Sequence, residues 1–227
     1  MCPEVSAPRT LVVEEAILGK NAERADENRR RFAAHGVSVL NVMSSPGSGK
    51  TTLLARTFSD LASRLRAAVV VGDLATDTDA RRFAAAGVPV VQITTGGLCH
   101  LEAGMVAEAA RGFDLHALDL LVVENVGNLV CPASFDLGED TRVVLLSVTE
   151  GEDKPLKYAV TFKTAHAVVI TKIDLAAAAG FERAAVMAHI AAIAPRARVF
   201  EVSARTGEGL ESWYDFLEQH SRRLART

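Results

Sequence analysis

Residues Val37–Thr52 read VSVLNVMSSPGSGKTT. An apolar, β-branched run, Val37–Met43, breaks into a turn-forming stretch, Ser44–Gly49, and helix-compatible residues begin at Lys50. The turn has the form G-x-x-x-x-G-K-[ST], with Ser44 in place of the first glycine. Between a strand and a helix, Gly47, Ser48 and Gly49 let the backbone wrap an anion with its N–H groups, and the helix N-terminus adds its positive end. Lys50 is placed to reach β- and γ-phosphates, the Thr51 hydroxyl to hold Mg²⁺, and Thr52 to complete the cradle. An ordinary glycine-rich turn is the weaker reading, because residue types and context agree.

Working outward, the same rhythm repeats. Short apolar runs recur at Ala68–Val71, Val88–Ile93, Leu120–Val123, Val143–Val148, Val168–Ile170 and Val199–Val202. Runs of this kind flanked by Gly, Pro and Asp read as buried strands of a parallel sheet. Helical stretches separate most of them: Lys50–Arg66, Ala80–Ala86, Leu101–Arg111, Phe181–Ala194 and Leu210–Leu224, with Ala176–Ala179 as a helix lead-in. The alternation predicts an α/β fold over residues 37–227, a mostly parallel seven-stranded sheet with helices on both faces. Residues 1–36 read as an N-terminal helical extension. Its Glu-, Arg- and Ala-rich helix runs from about Leu11 to Ala34 and stops at His35-Gly36. Ligands of such sheets bind beyond the carboxyl ends of the strands, so the informative residues should follow each run.

Composition narrows the function classes. The chain has 227 residues, 49% hydrophobic and 23% charged, with a net charge of −3. That suits one large globular domain and argues against nucleic acid as the main partner, which would call for a basic stripe. No apolar run is long enough to predict membrane insertion, and the first ten residues lack the apolar centre of a secretory signal, so a cytoplasmic location is expected. Three cysteines suggest thiols or metal ligands rather than a disulfide framework. Cys2, isolated near the start, is given no role.

The sixth run ends in Thr171-Lys172-Ile173-Asp174, close to the N-K-x-D pattern of guanine readers. A carboxylate at Asp174 accepts from guanine N1–H and N2–H₂, a donor pair that adenine lacks, and Lys172 lies along the base. Thr171 replaces the usual Asn and loses an amide that could tie base and loop. Ser203-Ala204-Arg205 after the seventh run resembles the S-A-K loop whose backbone meets guanine O6. An exposed turn is the alternative for Thr171–Asp174 taken alone.

The second run leads to Gly72-Asp73 and then Thr76-Asp77-Thr78-Asp79. Asp73 can hold Mg²⁺, directly or through water, or orient the attacking water. Asp77 and Asp79 read equally as helix caps. Glu124 ends the fourth run as a second metal-side acid, and Gly127 can donate its N–H to a γ-phosphate and so move on hydrolysis. With no Gln or Arg standing out as a catalytic finger, turnover should be slow, on the order of 10⁻³ s⁻¹.

Cys99-His100 follows the third run and Cys131-Pro132 closes the segment after Glu124. Thiolate and imidazole suit Zn²⁺, Ni²⁺ or Cu, and two copies related by a two-fold axis could bring both pairs together. From spacing alone, the cysteines read rather as small buried hydrophobes and His100 as a capping group.

Taken together, Ser44–Thr52, Gly72-Asp73, Thr94–Leu101, Glu124–Pro132, Val148–Tyr158, Thr171–Leu175 and Ser203–Gly209 resemble the nickel-incorporation GTPases of hydrogenase maturation, the HypB family. The resemblance spans about Asn41 to Glu211. It implies a P-loop GTPase that turns GTP into GDP and dimerises under nucleotide control. It also implies a Ni²⁺ or Zn²⁺ site on Cys99, His100 and Cys131 at the dimer interface, and transfer of nickel between an accessory protein and the hydrogenase large subunit. The N-terminal cysteine cluster or His-rich stretch of some members is missing here. Urease-maturation GTPases carry Cys-Pro-His in one stretch, unlike this chain, and partitioning-type ATPases place a Lys where Ser45 stands. A nickel- or zinc-binding scaffold without turnover is the rival of another class.

Overall fold

The computed structural model describes the backbone of residues 9–73 and 77–224; Cys2 and Thr76 lie outside them. Seven strands form one all-parallel sheet in the order β3-β2-β4-β1-β5-β6-β7. They are β1 (Ser38–Met43), β2 (Ala67–Asp73), β3 (Val90–Thr94), β4 (Leu120–Glu124), β5 (Thr141–Ser147), β6 (Ala167–Thr171) and β7 (Arg198–Val202). Every residue of the inner strands β1, β4 and β6 is buried, whereas the edge strands β3 and β7 are partly open. This is why the inner strands read as unbroken apolar runs: a strand covered on both faces has no solvent side to mark with polar residues.

Within those runs the two faces still alternate. Leu40, Val42, Leu120 and Val122 pack with Leu53, Phe58 and Trp213 on one side. Val39, Leu121 and Val123 pack with Phe32, Leu101 and Val106 on the other, where Val144, Val168, Phe162 and Val186 build a second cluster. The first side is covered by α2 (Lys50–Leu61), α3 (Thr78–Ala85) and α9 (Leu210–Leu224), the second by α1 (Arg9–Ala34), α4 (Ala103–Ala109), α6 (Ala159–Lys163) and α8 (Arg183–Ile193). Trp213, fully buried, donates from its indole N–H to Thr57 Oγ1 at 3.1 Å, which settles the polar end of an otherwise apolar side chain.

Helix α2 is shorter than the sequence suggests. It ends at Leu61, and the chain turns so that Arg66 N, Nε and Nη2 all donate to the Asp119 carboxylate. Two short helices, α5 (Lys154–Lys157) and α6, occupy a stretch with no helical period in the sequence; Pro155 lies in the first turn of α5, and Thr161 and Phe162 are buried. Ala176–Ala179 is a separate turn of helix, α7, closed by Gly180 at φ 63°. No single helix among the described residues is long and apolar enough to cross a membrane.

Because β1 lies between β4 and β5, the connections leaving it diverge, and the carboxyl ends of β1, β4 and β2 open a crevice.

Candidate nucleotide and metal sites

The turn after β1 lies in that crevice. Gly47 (φ 74°) and Gly49 (φ 94°) adopt left-handed conformations that a side chain disfavours, so both glycines are required by the backbone. A cavity of about 490 Å³ is lined by Gly47–Thr52, Asp73, Asp79, Glu124, Gly127 and Lys172, among others. Lys50 is buried, and its Nζ donates to Ser44 Oγ at 2.9 Å. Ser48 Oγ donates to the same oxygen, so the serine that replaces the motif's first glycine keys the loop shut from inside. Burial pushes the Lys50 ammonium below its ordinary pKa, partly opposed by Glu124.

Thr51 Oγ1 donates to Glu124 Oε1 at 2.7 Å. Glu124 Oε2 is buried with no hydrogen-bond partner, and burial raises the carboxyl to about 7. An unsatisfied buried carboxylate oxygen beside a threonine hydroxyl, with Asp73 lining the same cavity, fits a divalent cation with hard oxygen ligands. Gly127 packs under the phosphate loop: a Cβ there would lie 3.2 Å from Pro46. Asp77 and Asp79 make no side-chain cap to α3. Asp77 pairs with Arg81 at 2.7 Å and Asp79 with Arg82 at 3.7 Å, and Asp79 also lines the cavity.

A second cavity, about 340 Å³, adjoins the first across Gly49 and Thr52 and is lined by Thr171, Lys172, Asp174, Leu175, Ala204 and Arg205. Asp174 Oδ1 accepts from Ser203 Oγ at 2.6 Å and Oδ2 from Arg205 Nη2 at 2.7 Å. These partners, Ser203 first, hold the carboxyl below its ordinary range. Lys172 takes a left-handed φ of 59°, and its Nζ donates to Gly47 O at 2.7 Å. The loss expected at Thr171 is made good in another way: its buried hydroxyl donates to Ser48 O at 2.7 Å, so the base-side loop is still tied to the phosphate loop. Within the charged stretch Glu150–Lys157, which the sequence alone leaves open between a solvated loop and the pocket lining, Lys154 Nζ donates to Ser45 Oγ at 2.7 Å and stands 5.0 Å over the Tyr158 ring.

Cys99, His100 and Cys131 come together within one chain, with donor atoms all inside 4.8 Å of one another. Two copies are therefore not needed to assemble three donors, although spacing alone had favoured buried hydrophobes and a cap. Both cysteines are free and half-buried. The Cys99 thiol is raised, first by its hydrogen bond with Cys131. His100 stacks on Phe135 with ring centroids 3.8 Å apart, turning Nδ1 toward Cys99 Sγ at 3.8 Å and Nε2 toward Glu102 at 3.8 Å.

A buried polar chain, also unforeseen, joins the two regions. Asn125 donates to Asn41, in the middle of β1, and Asn41 donates to Glu139 Oε1. Arg142 Nε donates to that oxygen at 2.6 Å, and its other nitrogens donate to the carbonyls of Ala133 and Phe135, on the limb that carries Cys131. Its one visible sign in the sequence is an asparagine inside an apolar strand.

Sheet order, phosphate loop and cavity define a nucleotide-binding α/β protein with soft-metal donors at its rim. Residues 38–201 match the CobW/HypB/UreG nucleotide-binding domain. The hydrogenase maturation factor HypB of Azotobacter vinelandii is 51% identical over 217 residues, 96% of this chain and 72% of that protein. That of Rhizobium leguminosarum bv. viciae is 48% identical over 223 residues, 98% and 75% of the two chains. The crystal structure of HypB from Helicobacter pylori in complex with nickel superposes with a TM-score of 0.85 at 42% identity, covering 90% of this chain and 96% of that one. The chain belongs to the CobW/HypB/UreG family, in its HypB branch.

Proposed function

We propose that this protein is a GTP-hydrolysing nickel metallochaperone of hydrogenase maturation. GTP would lay its phosphates on Gly47–Thr52, with Lys50 on the β- and γ-phosphates, and its base against Lys172, Asp174 and the Ser203–Arg205 loop. Guanine N1–H and N2–H₂ would take over the Asp174 oxygens that Ser203 and Arg205 now occupy. Thr51, Glu124 and Asp73 would hold Mg²⁺, which when bound supplies positive charge beside the transferring phosphoryl group. Asp73 is also the candidate for orienting the attacking water. Cys99, His100 and Cys131 would hold Ni²⁺, with Zn²⁺ as the competitor suited to the same donors.

One observation carries this reading. Glu124, Gly127 and Cys131 share one short segment, so a shift of the residue that would sense the γ-phosphate would bear on a metal thiol as well. Nucleotide state would thereby set metal affinity, and a second copy of the chain, a nickel-delivering accessory protein and the hydrogenase large subunit would be the partners. The resemblance to HypB proteins and the nickel in the Helicobacter structure support the cargo.

The test is the Ni²⁺ dissociation constant with GDP and with a non-hydrolysable GTP analogue. Coupled sites give a difference of roughly 5–150-fold, and Cys131→Ala loses it while still binding nucleotide. Equal affinities in the two states of the unaltered protein would refute the reading.

A further inference from the structure

Granting that Cys99, His100 and Cys131 form the nickel site, we propose that helix α1 is a positioning element of that site, acting through Asn21 and Asn28. The donors come from two separate limbs, the turn after β3 and the segment after β4. A shared ion needs the limbs at a fixed separation, and α1 grips both. Asn21 accepts from the Ala103 N–H at 2.8 Å and donates to Asp136 O at 2.7 Å. Asn28 donates to Ala103 O at 2.8 Å and to Leu137 O at 2.9 Å. Each amide thus spans from the first limb, three residues beyond His100, to the second, just beyond the Phe135 ring on which His100 stacks.

These asparagines sit on the buried stripe Asn21, Ala25, Asn28, Phe32, where helix periodicity calls for apolar residues. At 7% and 2% exposure they are largely cut off from solvent, so losing their bonds to the limbs would leave buried polar groups unpaired. The fit is close: at Gly138 a Cβ would come within 2.6 Å of both Ala25 O and Asn28 Cβ. Arg29 adds a fork to the Asp136 carboxylate at 2.8 and 2.9 Å. Neither asparagine touches a donor atom or the nucleotide cavity. Their role would be to hold the two limbs at the separation a shared ion needs, one step behind the ligands themselves.

Asn21→Ala and Asn28→Leu, the latter close in volume, test this in the full chain. The readouts are Ni²⁺ affinity, the thiolate-to-nickel charge-transfer band and GDP affinity. Ni²⁺ should bind at least about fivefold more weakly with an altered band, while GDP affinity stays within about twofold. Unchanged nickel affinity and band would overturn the proposal. Nickel uptake by the unaltered protein that ignores Cys131→Ala, or no uptake, would instead remove the metal-site reading on which it rests. Should the variants fail to fold, hydrogen exchange on the unaltered protein decides. Linkage requires nickel to slow exchange at the Ala103 amide and along α1. Protection confined to Cys99-His100 and Cys131 would refute it.

Discussion

Asp174 and Glu124 are two carboxylates of the crevice held in opposite ways, the first with both oxygens paired and the second with one oxygen unpaired. Asp174 keeps both oxygens occupied by donors on one loop, and a base offering two N–H groups could exchange for them at little net loss. Asp174→Asn should weaken GTP binding and favour xanthosine triphosphate, whose extra carbonyl accepts from the new amide. Competition titration with both nucleotides checks this, and unchanged GTP affinity would remove Asp174 from the base site. Glu124 instead leaves one buried oxygen unsatisfied. Replacing it with Gln should abolish most of the Mg²⁺ dependence of nucleotide affinity: EDTA should weaken GTP binding to the unaltered chain and change little in Glu124→Gln. An equal EDTA effect in both would take Glu124 out of the cation site.

Among the elements, strands and phosphate loop were legible in the sequence because each obeys a local rule: β-branched runs for covered strands, glycines where φ must be positive. What escaped were features decided by distant partners. The end of α2 at Leu61 is one, because nothing between Ala62 and Arg66 forbids a helix; the pull comes from Asp119, far along the chain. Helices α5 and α6 are another, since each is too short to display a period. Thr171 looked like a loss because its partner, Ser48 O, is a backbone atom. Pairing with Arg66 holds the Asp119 carboxyl below its ordinary pKa. A depressed carboxyl contributes stability above its unfolded pKa, and that contribution fades as pH falls through the lower folded value. Asp119→Asn should therefore cost up to about 1 kcal/mol near pH 7 and progressively less toward pH 3. Urea midpoints measured across that range test it, and a cost independent of pH would show that the charge contributes nothing.

For the molecule as a whole, the proposed coupling between nucleotide and metal would have two routes, the shared segment from Glu124 to Cys131 and the polar chain from Asn125 through Asn41 and Glu139 to Arg142. Buried polar chains have few alternative arrangements, so a shift at one end is felt at the other. Asn41→Leu preserves volume and removes the middle link. It should leave nucleotide binding within a few-fold while reducing the GTP-versus-GDP difference in Ni²⁺ affinity. Retention of the full difference would assign the coupling to the shared segment alone. Spacing alone did not join Cys99, His100 and Cys131, and the resemblance to HypB proteins did; their convergence comes from the sheet order β3-β2-β4, which brings the turn after β3 near the segment after β4.

Gly72 closes the tip of β2 against Leu101, where a methyl group would stand 2.9 Å from three of the leucine's carbons. The residue after Gly72 is Asp73, in the lining of the phosphate-loop cavity, and the residue before Leu101 is His100, in the thiol–imidazole cluster. A single contact of bare backbone with one leucine therefore stands between an acid of the phosphate-loop cavity and an imidazole of the thiol cluster, and thickening it by one carbon would press on the neighbours of both at once.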